Sequence, residues 1–111
     1  MAPPTPERDW KYMKKVKEEL LAALCKRINW QAMDILKSET NSEHERYVRL
    51  FRHVRSSDGI VANCFDDWRR STLLMKLVTL QQNGLLTSDH IQHLSEETRN
   101  RLKALEGVEQ S

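Results

Sequence analysis

The sequence predicts an all-α fold, and three observations carry that prediction. All three prolines lie within the first six residues, so nothing from Glu7 onward forbids helix on proline grounds. Glycine is equally sparse, with three in the chain, at Gly59, Gly84 and Gly107. Apolar residues recur at spacings of three and four rather than alternating, which is the period of an amphipathic helix. The expected architecture is a compact bundle of five or six helices around a long central helix over about 60–83.

A chain of 111 residues fits one domain. We expect a disordered N-terminal lead over 1–6, a single helical domain over 7–106 and a loose tail over 107–111. The apolar fraction of 39% supports one modest core, and 31% charged residues leave a highly polar surface. A net charge of +2 is too small to imply a polyanion partner by itself. Cys25 and Cys64 sit inside apolar patterns and read as small buried hydrophobes, which favours a reducing compartment, cytoplasmic or nuclear. No apolar run approaches the ~20 residues of a membrane span, and the start of the chain lacks a signal-peptide core.

Taken in order, Thr5-Pro6 starts a first helix to about Ile28, with Glu7 and Asp9 favourably placed on its dipole. Trp10, Met13, Val16, Leu20, Leu21, Leu24 and Ile28 form its stripe. Lys17 lies beside that stripe and has to carry its ammonium outward. At Trp30, Met33 and Leu36 the phase changes, so either the helix kinks there or Asn29 caps a short second helix over 30–38, and the second is the preferred expectation. Ser42 and Glu45 have capping-box spacing and open a helix to about Arg55. Its inner face is expected to be Tyr47, Leu50, Phe51 and Val54, with Ser56-Ser57-Asp58-Gly59 closing it.

The central helix then runs from Ile60 to Asn83 and stops at Gly84. Leu73, Leu74, Met75, Leu77, Val78 and Leu80 surround its second half, so it is expected to be buried on more than one side. Thr87 caps a short helix, with Leu86 and Ile91 spaced as a hydrophobic staple. Ser95, followed by Glu96 and Glu97, starts the last helix, which faces inward through Leu102 and Leu105 and ends at Gly107.

No glycine-rich phosphate loop, paired catalytic carboxylates or nucleophile–base motif is present, so no enzyme is expected. His90 and His93 are three apart but lack a third ligand nearby, so no metal or cofactor is expected either. Cys64 stands beside Asp66 and Asp67, which oppose a thiolate. The leading expectation is a protein-interaction or assembly module, a subunit or adaptor whose partner is another protein or a second copy in a homodimer. Its docking candidates are Leu73, Leu74, Leu77 and Leu80, with Trp10 and Trp30 as aromatic anchors. The alternative is nucleic-acid binding through Arg46, Arg49, Arg52 and Arg55, which recur every third residue. The plain reading of that row is a solvated helix face.

Overall fold

The computed structural model of the chain describes residues 4–110, and the side chains of 4–106. Five helices follow one another: α1 Glu7–Lys37, α2 Glu43–Phe65, α3 Leu73–Gln82, α4 Ser88–Gln92 and α5 Glu96–Gln110. No strand occurs among the described residues, and no helix there is long and apolar enough to cross a membrane.

Helix α1 is continuous over 31 residues, so Asn29 caps nothing. The phase change at that point is real but has another cause. Ile28, Ala32 and Ile35 carry the half-buried seam on toward Ser38, while Trp30, Met33 and Leu36 are exposed. The stripe drifts because the covered face changes along the helix.

Helix α2 returns antiparallel to α1, as two cross-links show: Arg46 Nη1 donates to Ser38 O at 2.6 Å and His53 Nε2 lies 2.9 Å from Ile28 O. It starts as expected, with Ser42 Oγ accepting from Glu45 N at 3.1 Å. It does not stop at Ser56–Gly59 but continues to Phe65. A Cβ placed on Gly59 would meet no atom within 4 Å, so no packing demand interrupts the helix there.

The expected single helix over 60–83 is divided. Residues up to Phe65 complete α2, Asp66 to Thr72 form a turn, and α3 begins at Leu73. The break is built from side chains. The Trp68 indole N–H donates to Cys64 O at 2.7 Å and so satisfies a carbonyl that the ending helix leaves open. Asp67 takes the left-handed conformation at φ 58° and is held by Arg69 at 2.8 Å. The Thr72 hydroxyl donates to Asp67 O at 2.7 Å and fixes the turn. No proline or glycine announces any of this.

The short helix α3 does occupy the centre of the core. Leu73, Leu77 and Leu80 are 0% exposed, enclosed with Met13, Leu20 and Leu24 of α1 and with Leu94 and Leu102. It ends in a Schellman turn, with Gly84 at φ 69°, Leu85 N–H to Leu80 O at 2.9 Å and Gly84 N–H to Gln81 O at 3.1 Å. Arg27 Nη1 of α1 adds a bond to Asn83 O at 2.6 Å. Thr87 caps α4, whose capping box is closed by the His90 ring in place of a carboxamide or carboxylate. Helix α5 continues through Gly107.

One buried carboxylate ties the chain's two ends together. Asp9, in the first turn of α1 and 0% exposed, accepts from Ser95 N at 2.8 Å, Ser95 Oγ at 2.7 Å and Thr98 Oγ1 at 2.6 Å. It therefore caps α5 from another helix and sits at the positive end of two helix dipoles. Of the expected lead, residues 1–3 lie outside the described residues. Thr5 is buried and exchanges hydrogen bonds with Arg70, whose Nε reaches Thr5 O at 2.7 Å.

The buried core is thus confined to one end. From Cys25 to Ser56 no residue is buried. That stretch is the far part of the α1–α2 hairpin, which projects from the body. The extents of 52 × 33 × 24 Å record the projection. The radius of gyration is 16.9 Å, against about 13 Å for a compact domain of this length.

Candidate interaction face on the helical hairpin

The hairpin seam is assembled from unusual residues. On α2 the positions turned toward α1 are Arg46, Leu50, His53 and Ser57, spaced four, three and four apart and half-buried or buried. Arg46 reaches Ser38 O and pairs with Glu43, and His53 meets Ile28 O. Polar side chains can occupy a seam at low cost when hydrogen-bonded, as Arg46 and His53 are.

The consequence is that the apolar stripe of α2 faces away from α1. Of the expected inner face only Leu50 turns inward. Tyr47, Phe51 and Val54 are 66%, 56% and 52% exposed. On α1 the residues Trp30, Met33 and Leu36 are 59%, 43% and 52% exposed. At ~100° per residue, Met33 and Leu36 lie on the same broad side of the hairpin as Tyr47, Phe51 and Val54, because antiparallel helices rotate in opposite senses about a shared seam. Trp30 lies at the rim. Arg27, which bonds to Asn83 of the body, projects from the opposite flank of α1, so the body leaves this apolar side clear.

The residues singled out from the sequence are distributed as follows. Leu73, Leu77 and Leu80 are fully enclosed and Leu74 is half-buried, so the body's own helices cover the face expected to dock a partner. The sequence underestimates this cover because it counts only the C-terminal helices, whereas α1 contributes Met13, Leu20 and Leu24. Trp10 is half-buried with Lys14 Nζ 5.3 Å from its ring centroid, and Trp30 is exposed on the hairpin. Arg46 is removed from the arginine row by its place in the seam, while Arg49, Arg52 and Arg55 are exposed. Arg49 and Arg52 occupy the flank away from Tyr47 and Val54, while Arg55, four residues after Phe51, borders the apolar stripe.

Several other polar and titratable groups singled out from the sequence have structural partners. His90 Nε2 is 3.3 Å from Glu19, and the His93 ring stacks on Tyr12 at 4.9 Å. Burial, then the nearby Asp89 and Glu19, raises the Tyr12 hydroxyl above its ordinary pKa. No cluster of three metal-ligating side chains occurs among the described residues. Cys64 is buried, and that burial pushes its thiol up despite Lys76 and Arg27 nearby. Asp67 is held below its ordinary value by the hydrogen bond from Arg69. Lys17 rests its ammonium 5.0 Å from the Trp68 ring centroid. A cleft of about 350 Å3 is lined by Gln81, Ile91, Arg99, Leu102, Lys103 and Glu106.

The signal for the hairpin face was present in the sequence as the phase change at Trp30 and the stripe of α2. Its orientation was not, since a stripe does not say what covers it. Compared with protein-family models, curated proteins and solved structures, the chain matches none.

Proposed function

We propose that this chain is a non-enzymatic interaction module that docks protein through the apolar side of the α1–α2 hairpin. One observation carries the reading: Met33, Leu36, Tyr47, Phe51 and Val54 are all more than 40% exposed on one side of the hairpin, whereas α3, α4 and α5 leave a single large apolar side chain, Met75, exposed among their described residues. Contiguous exposed apolar surface, rimmed by charge, marks docking surfaces in soluble proteins. Phe51 and Tyr47 are side chains of the kind that dominate binding energy when enclosed.

The test is affinity capture from native cell extract with the wild-type chain and with Phe51→Glu. The variant should retain its helix content and lose the captured protein. Equal capture by both removes the reading.

A second reading is favoured by the exposure of Arg49 and Arg52 on the other flank of α2, with Arg55 between that flank and the apolar stripe. Three forked cations on one surface suit phosphate groups. A fluorescent oligonucleotide should then bind at low salt, weaken steeply as salt rises, and lose affinity in Arg52→Gln/Arg55→Gln. Absence of binding at low salt ends that reading.

A further inference from the structure

The outward stripe of α2 has an internal order that points to its occupant. Tyr47, Phe51, Val54 and Asp58 follow at spacings of four, three and four, and His44 continues the pattern at the N-terminal end, while Val61 at the other end packs against the core of the body. A strict three-four alternation holds one line of side chains against another helix over several turns. Helix α1 does not fill that role, because it packs on Arg46, Leu50, His53 and Ser57. Asp58 falls within the stripe, and a carboxylate covered there needs a donor.

From this pattern we infer that the occupant is a second copy of the chain, with the two α2 helices antiparallel across a two-fold axis. The inference rests on the docking reading above and specifies its partner. Phe51 and Val54 lie equally far on either side of the midpoint between Arg52 and His53, and so do Tyr47 and Asp58. An antiparallel pairing centred there sets Phe51 on the second copy's Val54. It also sets the Tyr47 hydroxyl beside the second copy's Asp58, to which it donates. Two-fold symmetry makes each contact twice. The stripe carries one donor and one acceptor at mirrored positions, which is what self-recognition requires.

Met33 and Leu36 of α1 flank the stripe on the same side, so two hairpins stack into a four-helix layer. The five exposed residues offer on the order of 500 Å2 of side-chain surface, most of a ~800 Å2 share of a standard interface once neighbouring stems are included. Other occupants fit less well. Lys26, Lys37 and Arg55 at the edges suit an acidic helix or an anionic lipid surface, but both place negative charge against Asp58.

Sedimentation across a wide concentration series tests this directly, using wild type, Phe51→Glu, and the pair Tyr47→Cys/Asp58→Cys in a Cys25→Ser background. The wild type should sediment as a dimer. Phe51→Glu should weaken self-association about tenfold or more at unchanged helix content. The cysteine pair should form disulfide-linked dimers under mild oxidation. Within one chain these positions are ~16 Å apart along the helix, too far to bridge. An Arg52→Cys control on the other flank should not cross-link.

A monomer throughout, a dimer unaffected by Phe51→Glu, or a dimer without the 47–58 cross-link overturns the inference. If the wild type is monomeric while Phe51→Glu still abolishes capture from extract, the second copy falls and the docking reading stands. Binding of a monomer to vesicles of phosphatidylserine and phosphatidylcholine, lost in Phe51→Glu, makes the face a lipid surface and removes both.

Discussion

The body and the hairpin solve helix packing in opposite ways. In the body, apolar side chains turn inward except Met75, which was expected inside but points away from the core on α3, and the few buried polar groups, Thr5, Asp9, Ser57 and Thr98, sit at helix starts or at the base of the α1–α2 seam. In the hairpin the α2 side of the seam is largely polar, Arg46, His53 and Ser57 beside Leu50, and the apolar stripe of α2 looks outward. The two regions share α1 and differ in what surrounds it. Where α3, α4 and α5 supply a third layer, an apolar face has somewhere to go. Where only two helices meet, one face is covered, and here the hydrogen-bonded one is chosen.

This contrast can be broken by substitution, and the largest effects should fall in the body. Leu77→Ala removes a fully enclosed side chain from α3 and should cost about 3 kcal/mol in urea unfolding. Phe51→Ala, measured at concentrations where the chain is monomeric, should change stability by no more than about 0.5 kcal/mol. If the two costs are similar, the hairpin face is covered within the monomer and the contrast fails.

Asp9→Ala comes next. It leaves the start of α5 and two hydroxyls without their acceptor, so a loss of about 2–3 kcal/mol is expected, with faster amide exchange in the first turn of α5. A loss confined to α1 would show that the cross-helix cap is not what Asp9 contributes.

The two central glycines sharpen the comparison further. Gly84 holds a positive φ at the end of α3, so Gly84→Ala should destabilise by about 1 kcal/mol. Gly59 lies in helix with open space around it, so Gly59→Ala should stabilise by about 0.5–1 kcal/mol. Opposite signs in thermal unfolding are the expected result.

The mildest probe is chemical. Cys64 is enclosed and its thiol is pushed up by burial, whereas Cys25 is half-buried on α1 where the hairpin leaves the body. Alkylation at neutral pH should modify Cys25 at least about tenfold faster. Equal rates would mean that the body opens as readily as the hairpin.

Much of the fold was legible from local chemistry. Ser42, Thr87 and Ser95 start helices where their spacing said they would, and Gly84 ends α3. The break at Asp66–Thr72 was not legible, because it depends on an indole reaching Cys64 O and a threonine clamping Asp67. The interaction candidates Leu73, Leu77 and Leu80 were identified as apolar in excess of the C-terminal cover, and the cover came from α1. Trp30 was legible as an anchor candidate. Tyr47, Phe51 and Val54 were legible as a stripe but assigned to the inside.

By itself the sequence determined the helical class, most helix starts and the residues that form stripes, since these follow from propensity, capping and period within a few turns of chain. Only the tertiary structure decided that α1 runs unbroken past Asn29, that Asp9 caps a helix starting 87 residues further on, and that the α2 stripe faces outward. Those outcomes depend on which distant segment covers a given face. A stripe records that a face can be buried, and the neighbour that arrives decides whether it is.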